Sequence, residues 1–88
     1  MIDRVASIRE RLEQAFAPEA LDIVDDSARH AGHEGARDGR GHFKVRIVSQ
    51  RFAGTRPVER HRLVYAALRD LMQTDIHALS VTALCPKE

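Results

Sequence analysis

One cysteine, no tryptophan and 5% aromatic residues mark what this 88-residue chain lacks. A lone cysteine excludes an internal disulfide and fits a reducing, cytoplasmic setting. Three prolines and five glycines are too scattered for a low-complexity tract. No apolar run approaches the ~20 residues of a membrane span. The opening Met1-Ile2-Asp3-Arg4 has no signal-peptide character. The length excludes two packed domains, so residues 1–88 are read as one domain.

Charge is balanced overall, at a formal +1, but not along the chain. Residues 1–28 carry three arginines against seven acids, and residues 29–69 carry ten Lys/Arg against three acids. A basic middle attracts nucleic acid or an acidic protein surface, or is simply a solvated face. Lys44, Arg46, Arg60 and Arg62 are the candidate phosphate contacts, with Arg60 and Arg62 expected to point outward. Phe43 and Tyr65 are assigned to the core, so no stacking aromatics accompany the charge, and any binding would be phosphate-driven and salt-sensitive.

Apolar periodicity supplies the elements. Val5, Ile8, Leu12, Ala15 and Phe16 form one stripe of a helix over 3–17, with Asp3 as N-cap and Pro18 ending it. Residues 20–26 read as a short strand. Residues 27–41, with four glycines, three arginines and two histidines, read as a mobile loop. In 42–49, Phe43, Val45 and Ile47 alternate with Lys44 and Arg46, the pattern of a strand with one packed and one wet face. Residues 50–54 form a turn anchored by Phe52. Residues 57–72 read as one long helix, with Pro57 in its first turn and Thr55 near its cap. Residues 76–83 form a last strand with His77, Leu79, Val81 and Ala83 on one face. The order is α-β-β-α-β, an α+β two-layer sandwich on a mixed three-stranded sheet.

That order has a geometric consequence. The 42–49 and 76–83 strands are joined by a helix and should be parallel, while the first strand pairs antiparallel in a hairpin. His30, His33, His42 and His77 are then drawn to one end of the sheet. His61 lies at the opposite end, on a lattice of positions 61, 64, 65, 68 and 72 read as buried. Clustered imidazoles are candidate metal ligands, and solvated side chains are the alternative. His77 shares strand parity with Leu79 and Val81, so its structural alternative is a half-buried histidine beneath the helix end. Cys85 lies about 26 Å further along the last strand, which leaves no internal Cys/His cage.

Catalysis finds little support. No Gly-x-Ser-x-Gly elbow surrounds Ser27 or Ser80, and Asp25 and Asp26 point to opposite faces. No phosphate-binding glycine pattern precedes a helix. Gly32-His33-Glu34-Gly35 mimics the Gly-x-x-Gly clamp of KH domains, but it joins strands rather than helices and carries an acid.

Ser27-Ala-Arg-His30-Ala-Gly-His33, His42-Phe43-Lys44-Val45-Arg46-Ile47-Val48-Ser49, Arg60-His61-Arg62-Leu63-Val64-Tyr65 and Ile76-His77-Ala78-Leu79 resemble the blocks of the BolA family, in the same order. The resemblance covers nearly the whole chain and implies a class II KH-like fold. It also implies a non-catalytic regulator that binds a monothiol glutaredoxin. The two proteins share a [2Fe-2S] cluster, to which the partner's cysteine and glutathione contribute thiolates. Carried over, the ligands on this chain are His77 and either His33 or His30. Two imidazoles can replace two thiolates on one iron of such a cluster. A chain with grouped histidines and no thiolate beside them needs a partner to complete the site. Alone it carries no cofactor and is a monomer or weak dimer. A DNA-binding regulator of stress or morphology, acting through the basic middle segment, is the alternative.

Overall fold

The computed structural model describes residues 3–26 and 41–87. The elements are α1 (Arg4–Phe16), β1 (Ala20–Asp25), β2 (Gly41–Val48), a 3-10 turn (Gln50–Phe52), α2 (Pro57–Ala67), α3 (Arg69–Thr74) and β3 (Ile76–Leu84). The sheet order is β1-β2-β3. β1 pairs antiparallel to β2, and β2 pairs parallel to β3, as the chain order requires. Segment 27–40, read above as a loop, lies outside the described residues.

α1 starts where Asp3 accepts a hydrogen bond from the Ala6 amide. It ends at Ala17, which adopts the left-handed conformation (φ 43°) just before Pro18. The helix buries Ile8, Leu12 and Phe16 against Phe43, Val45 and Ile47 of β2. Phe52 is fully buried, and its ring lies 5.0 Å from that of Phe16. Ser49 is the one uncharged polar residue buried in this core among the described residues. Its hydroxyl donates to the Phe16 carbonyl (2.7 Å), one of the carbonyls the end of α1 leaves without a helical partner.

The expected long helix is divided. Leu68 sits between α2 and α3 at φ −103°, ψ 14°, and its amide is shared between the Val64 and Tyr65 carbonyls. Three-centre bonds of this kind are usual where a helix ends. No glycine or proline marks the position, so the sequence carries no signal for it. The side chain of Leu68 is nonetheless fully buried, and Leu71 of α3 continues the inner stripe. Thr55 does not cap α2; Arg56 occupies that position without a side-chain cap. The Thr55 hydroxyl instead donates to the Phe52 carbonyl (2.6 Å) and closes the turn.

Candidate functional site

His77 owes its position to an irregularity in β3. Gly41 pairs with Ile76, but His42 pairs with Ala78, so β3 carries one extra residue at this point. Such a bulge resets the alternation of side chains along a strand. Ile76 turns into the core, His77 and Ala78 are both exposed, and Leu79, Val81 and Ala83 resume the inward series. The expectation of a half-buried His77 beneath the helix end is therefore corrected: Ile76 takes that place and His77 faces outward.

Facing outward, His77 meets His42. The two rings are 5.2 Å apart at 52°. His42, the second residue of β2, lies on the face opposite Phe43, and its Nε2 is shut off from solvent. A shallow depression beside the pair is lined by Asp26, His42, Lys44, Ala78 and Ser80. The two residues that flank segment 27–40 are fixed close by: the Asp26 amide donates to the His42 carbonyl (2.8 Å), and the Gly41 amide donates to the Asp75 carbonyl (2.9 Å). His30 and His33 lie outside the described residues. His42 was expected at this end among the clustered imidazoles, though the family resemblance carried over only His77 with His33 or His30 as ligands; strand register sets it beside His77.

Asp75 ties the pair to the helices. Its carboxylate accepts from Arg4 Nε (3.1 Å) and from the Thr74 hydroxyl (2.8 Å). The Thr74 hydrogen bond is the largest influence holding this carboxyl below its ordinary 3.8; Arg4 adds a hydrogen bond and its charge, and burial opposes them. A carboxyl more acidic in the folded than in the unfolded chain contributes stability that is complete above its ordinary pKa. That contribution is lost as pH falls through the folded value. Asp75→Asn should therefore flatten the decline in urea midpoint below about pH 4. An acid slope identical to the parent's would contradict this assignment.

The basic residues are less available than their sequence positions suggest. Lys44 lies 3.9 Å from Asp26, Arg46 3.9 Å from Asp22, and Arg62 3.9 Å from Glu59. Asp22 of β1 stands directly across from Arg46 of β2, whereas Lys44 is registered with Val24 and reaches Asp26, one residue beyond the end of β1. Arg60 departs from its expected outward direction. It is 8% exposed, and its guanidinium donates to the Thr55 carbonyl (3.1 Å), the Thr55 hydroxyl (3.2 Å) and the Ala83 carbonyl (3.2 Å). The inner stripe of α2 runs 60, 64, 68, so His61 is exposed and not packed. Tyr65, assigned to the core, is 37% exposed. Cys85 is half-buried beyond the far end of β3, away from the histidines.

Among the described residues, no three His, Cys, Asp or Glu side chains converge as a metal-ion site. What stands at the sheet end is a pair of imidazoles beside the roots of a connector that carries two more. A mixed three-stranded sheet with helices on one face and this pair at its end defines a small α+β module. The chain matches the family model described as BolA-like protein over residues 12–88, and it belongs to that family. It is 42% identical over 81 residues to the DNA-binding transcriptional regulator BolA of Escherichia coli (strain K12), covering 92% of this chain and 74% of the relative. It is 45% identical over 86 residues to the SufE-like protein 1, chloroplastic/mitochondrial, of Arabidopsis thaliana, covering 92% of this chain and 23% of that protein. The solved structure of BolA1 from Arabidopsis thaliana superposes with a TM-score of 0.85 at 41% identity, covering 100% of this chain and 98% of that one. The chain spans 23% to 59% of the length of its plant and mammalian curated relatives. The Escherichia coli relative is named a regulator, not an enzyme. No helix among the described residues is long and apolar enough to cross a membrane. The organelles in the SufE-like relative's name differ from the cytoplasm expected from the sequence.

Proposed function

We propose that this chain is a non-catalytic cytoplasmic adaptor that supplies the imidazole half of a [2Fe-2S] site, and that a monothiol glutaredoxin with bound glutathione supplies the thiolate half. The observation that carries this reading is the His42–His77 pair, two rings 5.2 Å apart near Asp26 and Gly41, the residues that flank segment 27–40. The donor chemistry fits. Imidazoles occupy two positions on one iron in mixed-ligand [2Fe-2S] centres. Cys85 sits beyond the opposite end of β3, so thiolates have to come from elsewhere. His77 would be one ligand; His42, His33 and His30 are the candidates for the second. The cluster is cargo in this reading, handed on in iron–sulfur trafficking or sensed in iron and redox regulation. Ligating imidazoles must be neutral, so acid releases the shared site.

The test is anaerobic titration of this chain into a cluster-loaded monothiol glutaredoxin with glutathione, followed by the visible spectrum and by gel filtration. A changed absorption envelope that coelutes with both proteins is expected. An unchanged glutaredoxin spectrum with separate elution would rule the adaptor out.

A second reading, a DNA-binding regulator, is favoured by the name of the Escherichia coli relative. Here Lys44, Arg46 and Arg62 stay at the surface but each lies 3.9 Å from a carboxylate, which weakens the phosphate footprint, and Arg60 is withdrawn from it. Phosphate-driven binding would show affinity for duplex DNA falling steeply with salt. No measurable affinity at low salt would dismiss it.

A further inference from the structure

β3 is an edge strand among the described residues, and its own sequence offers no defence against pairing. Edge strands usually carry Lys, Pro or an inward charge to prevent another strand from adding on. The nine residues Ile76–Leu84 contain no charged residue and no proline, and they are rich in β-favouring types. Such windows are prone to self-pairing when exposed.

Backbone parity identifies the groups at risk. The Leu84 carbonyl accepts from the Ser49 amide, so even-numbered residues in the regular part of β3 turn their backbone groups toward β2. Leu79, Val81 and Ala83 therefore turn theirs to the open side. Two of those three carbonyls are taken by side chains from α2. The Tyr65 hydroxyl donates to the Leu79 carbonyl (2.9 Å), and Arg60 Nη1 donates to the Ala83 carbonyl (3.2 Å). The opposite edge repeats the device more weakly: Arg9 of α1 reaches the Leu21 carbonyl of β1 at 3.4 Å.

We infer that Arg60 and Tyr65 guard a latent self-association edge, and that the partner they exclude is a second copy of this chain. A twofold axis through Val81 would set two β3 strands antiparallel, with Leu79 of one copy opposite Ala83 of the other. All three outward residues would then fall at hydrogen-bonded positions of one closed, isologous ladder joining two sheets into one of six strands. The two guarded carbonyls are both members of that ladder, which is why a second copy is the strand these side chains are placed to refuse. The guards also clamp α2 to β3, so the helix that covers the sheet face also closes its edge.

The inference is tested on Tyr65→Ala, at an exposed position on α2 outside the buried core. Sedimentation velocity from micromolar to millimolar protein should show the variant dimerising, with an apparent dissociation constant at least about tenfold below the parent's. Hydrogen exchange should show the amides of Leu79, Val81 and Ala83 gaining protection as concentration rises. A folded variant as monomeric as the parent overturns the inference, and so does association that leaves those three amides unprotected. Should Tyr65→Ala not fold, Tyr65→Phe, which keeps the ring and removes only the donor, decides by the same two readings.

Discussion

Phe52→Ala is expected to cost about 3–5 kcal/mol of folding free energy, the range for truncating a fully buried phenylalanine. The side chain is 0% exposed and packs against Phe16 with the rings tilted by 39°, and it comes from a short 3-10 turn rather than from an α-helix or strand. Its removal therefore acts at several points. The cavity opens between α1 and β2, the aromatic contact is lost, and the turn that delivers the chain to α2 loses its anchor. The Phe52 carbonyl meanwhile accepts from the Thr55 hydroxyl, whose neighbouring carbonyl and hydroxyl hold Arg60. A loosened turn thus releases the Arg60 contact to β3 as well. Small domains have roughly 5–15 kcal/mol in total, so this one change should leave the fold marginal. Urea unfolding followed by circular dichroism measures it, with a lower midpoint at unchanged slope. A loss below about 1 kcal/mol, the size of an ordinary surface change, would show that Phe52 does not anchor the turn.

His77→Ala should do the opposite: almost nothing to stability and a great deal to partner chemistry. The ring is exposed and fills no core position, because the bulge gives that place to Ile76. Surface truncations of this kind stay within about 0.5 kcal/mol. With a cluster-loaded glutaredoxin, the variant should no longer alter the visible spectrum. His42→Ala, tested beside it, reports whether the near neighbour is the second ligand or only orients the first. A stable, folded His77→Ala protein that still produced the parent spectrum would remove His77 from the site.

Much of the fold was legible in the sequence because two periodicities dominate it. The stripe in α1 and the alternation in β2 are uninterrupted, and the βαβ connection forces β2 and β3 to run parallel. Three features were hidden, each for a physical reason. The division at Leu68 involves a good helix former and leaves a buried leucine in place, so composition is silent about it. The bulge before Ala78 depends on pairing with β2, and pairing is not a local property; strict alternation along β3 consequently assigned His77 to the wrong face. Arg60 was read as outward because the buried lattice was set at 61, 64, 65, 68 and 72; the buried positions are 60, 64 and 68, and three acceptors gathered from Thr55 and Ala83 make burial of the cation tolerable. Chain order already drew His42 to this end of the sheet, and register then set its ring beside that of His77.

The most direct test of a shared half-site labels one half. This chain, made with 15N-histidine and combined with unlabelled glutaredoxin, glutathione and cluster, can be reduced and examined by pulsed electron paramagnetic resonance. Strong 15N couplings from directly bound imidazole are the expected result, and they should be lost in His77→Ala. A reduced cluster in the complex with no coupling to this chain's histidines would contradict imidazole ligation outright.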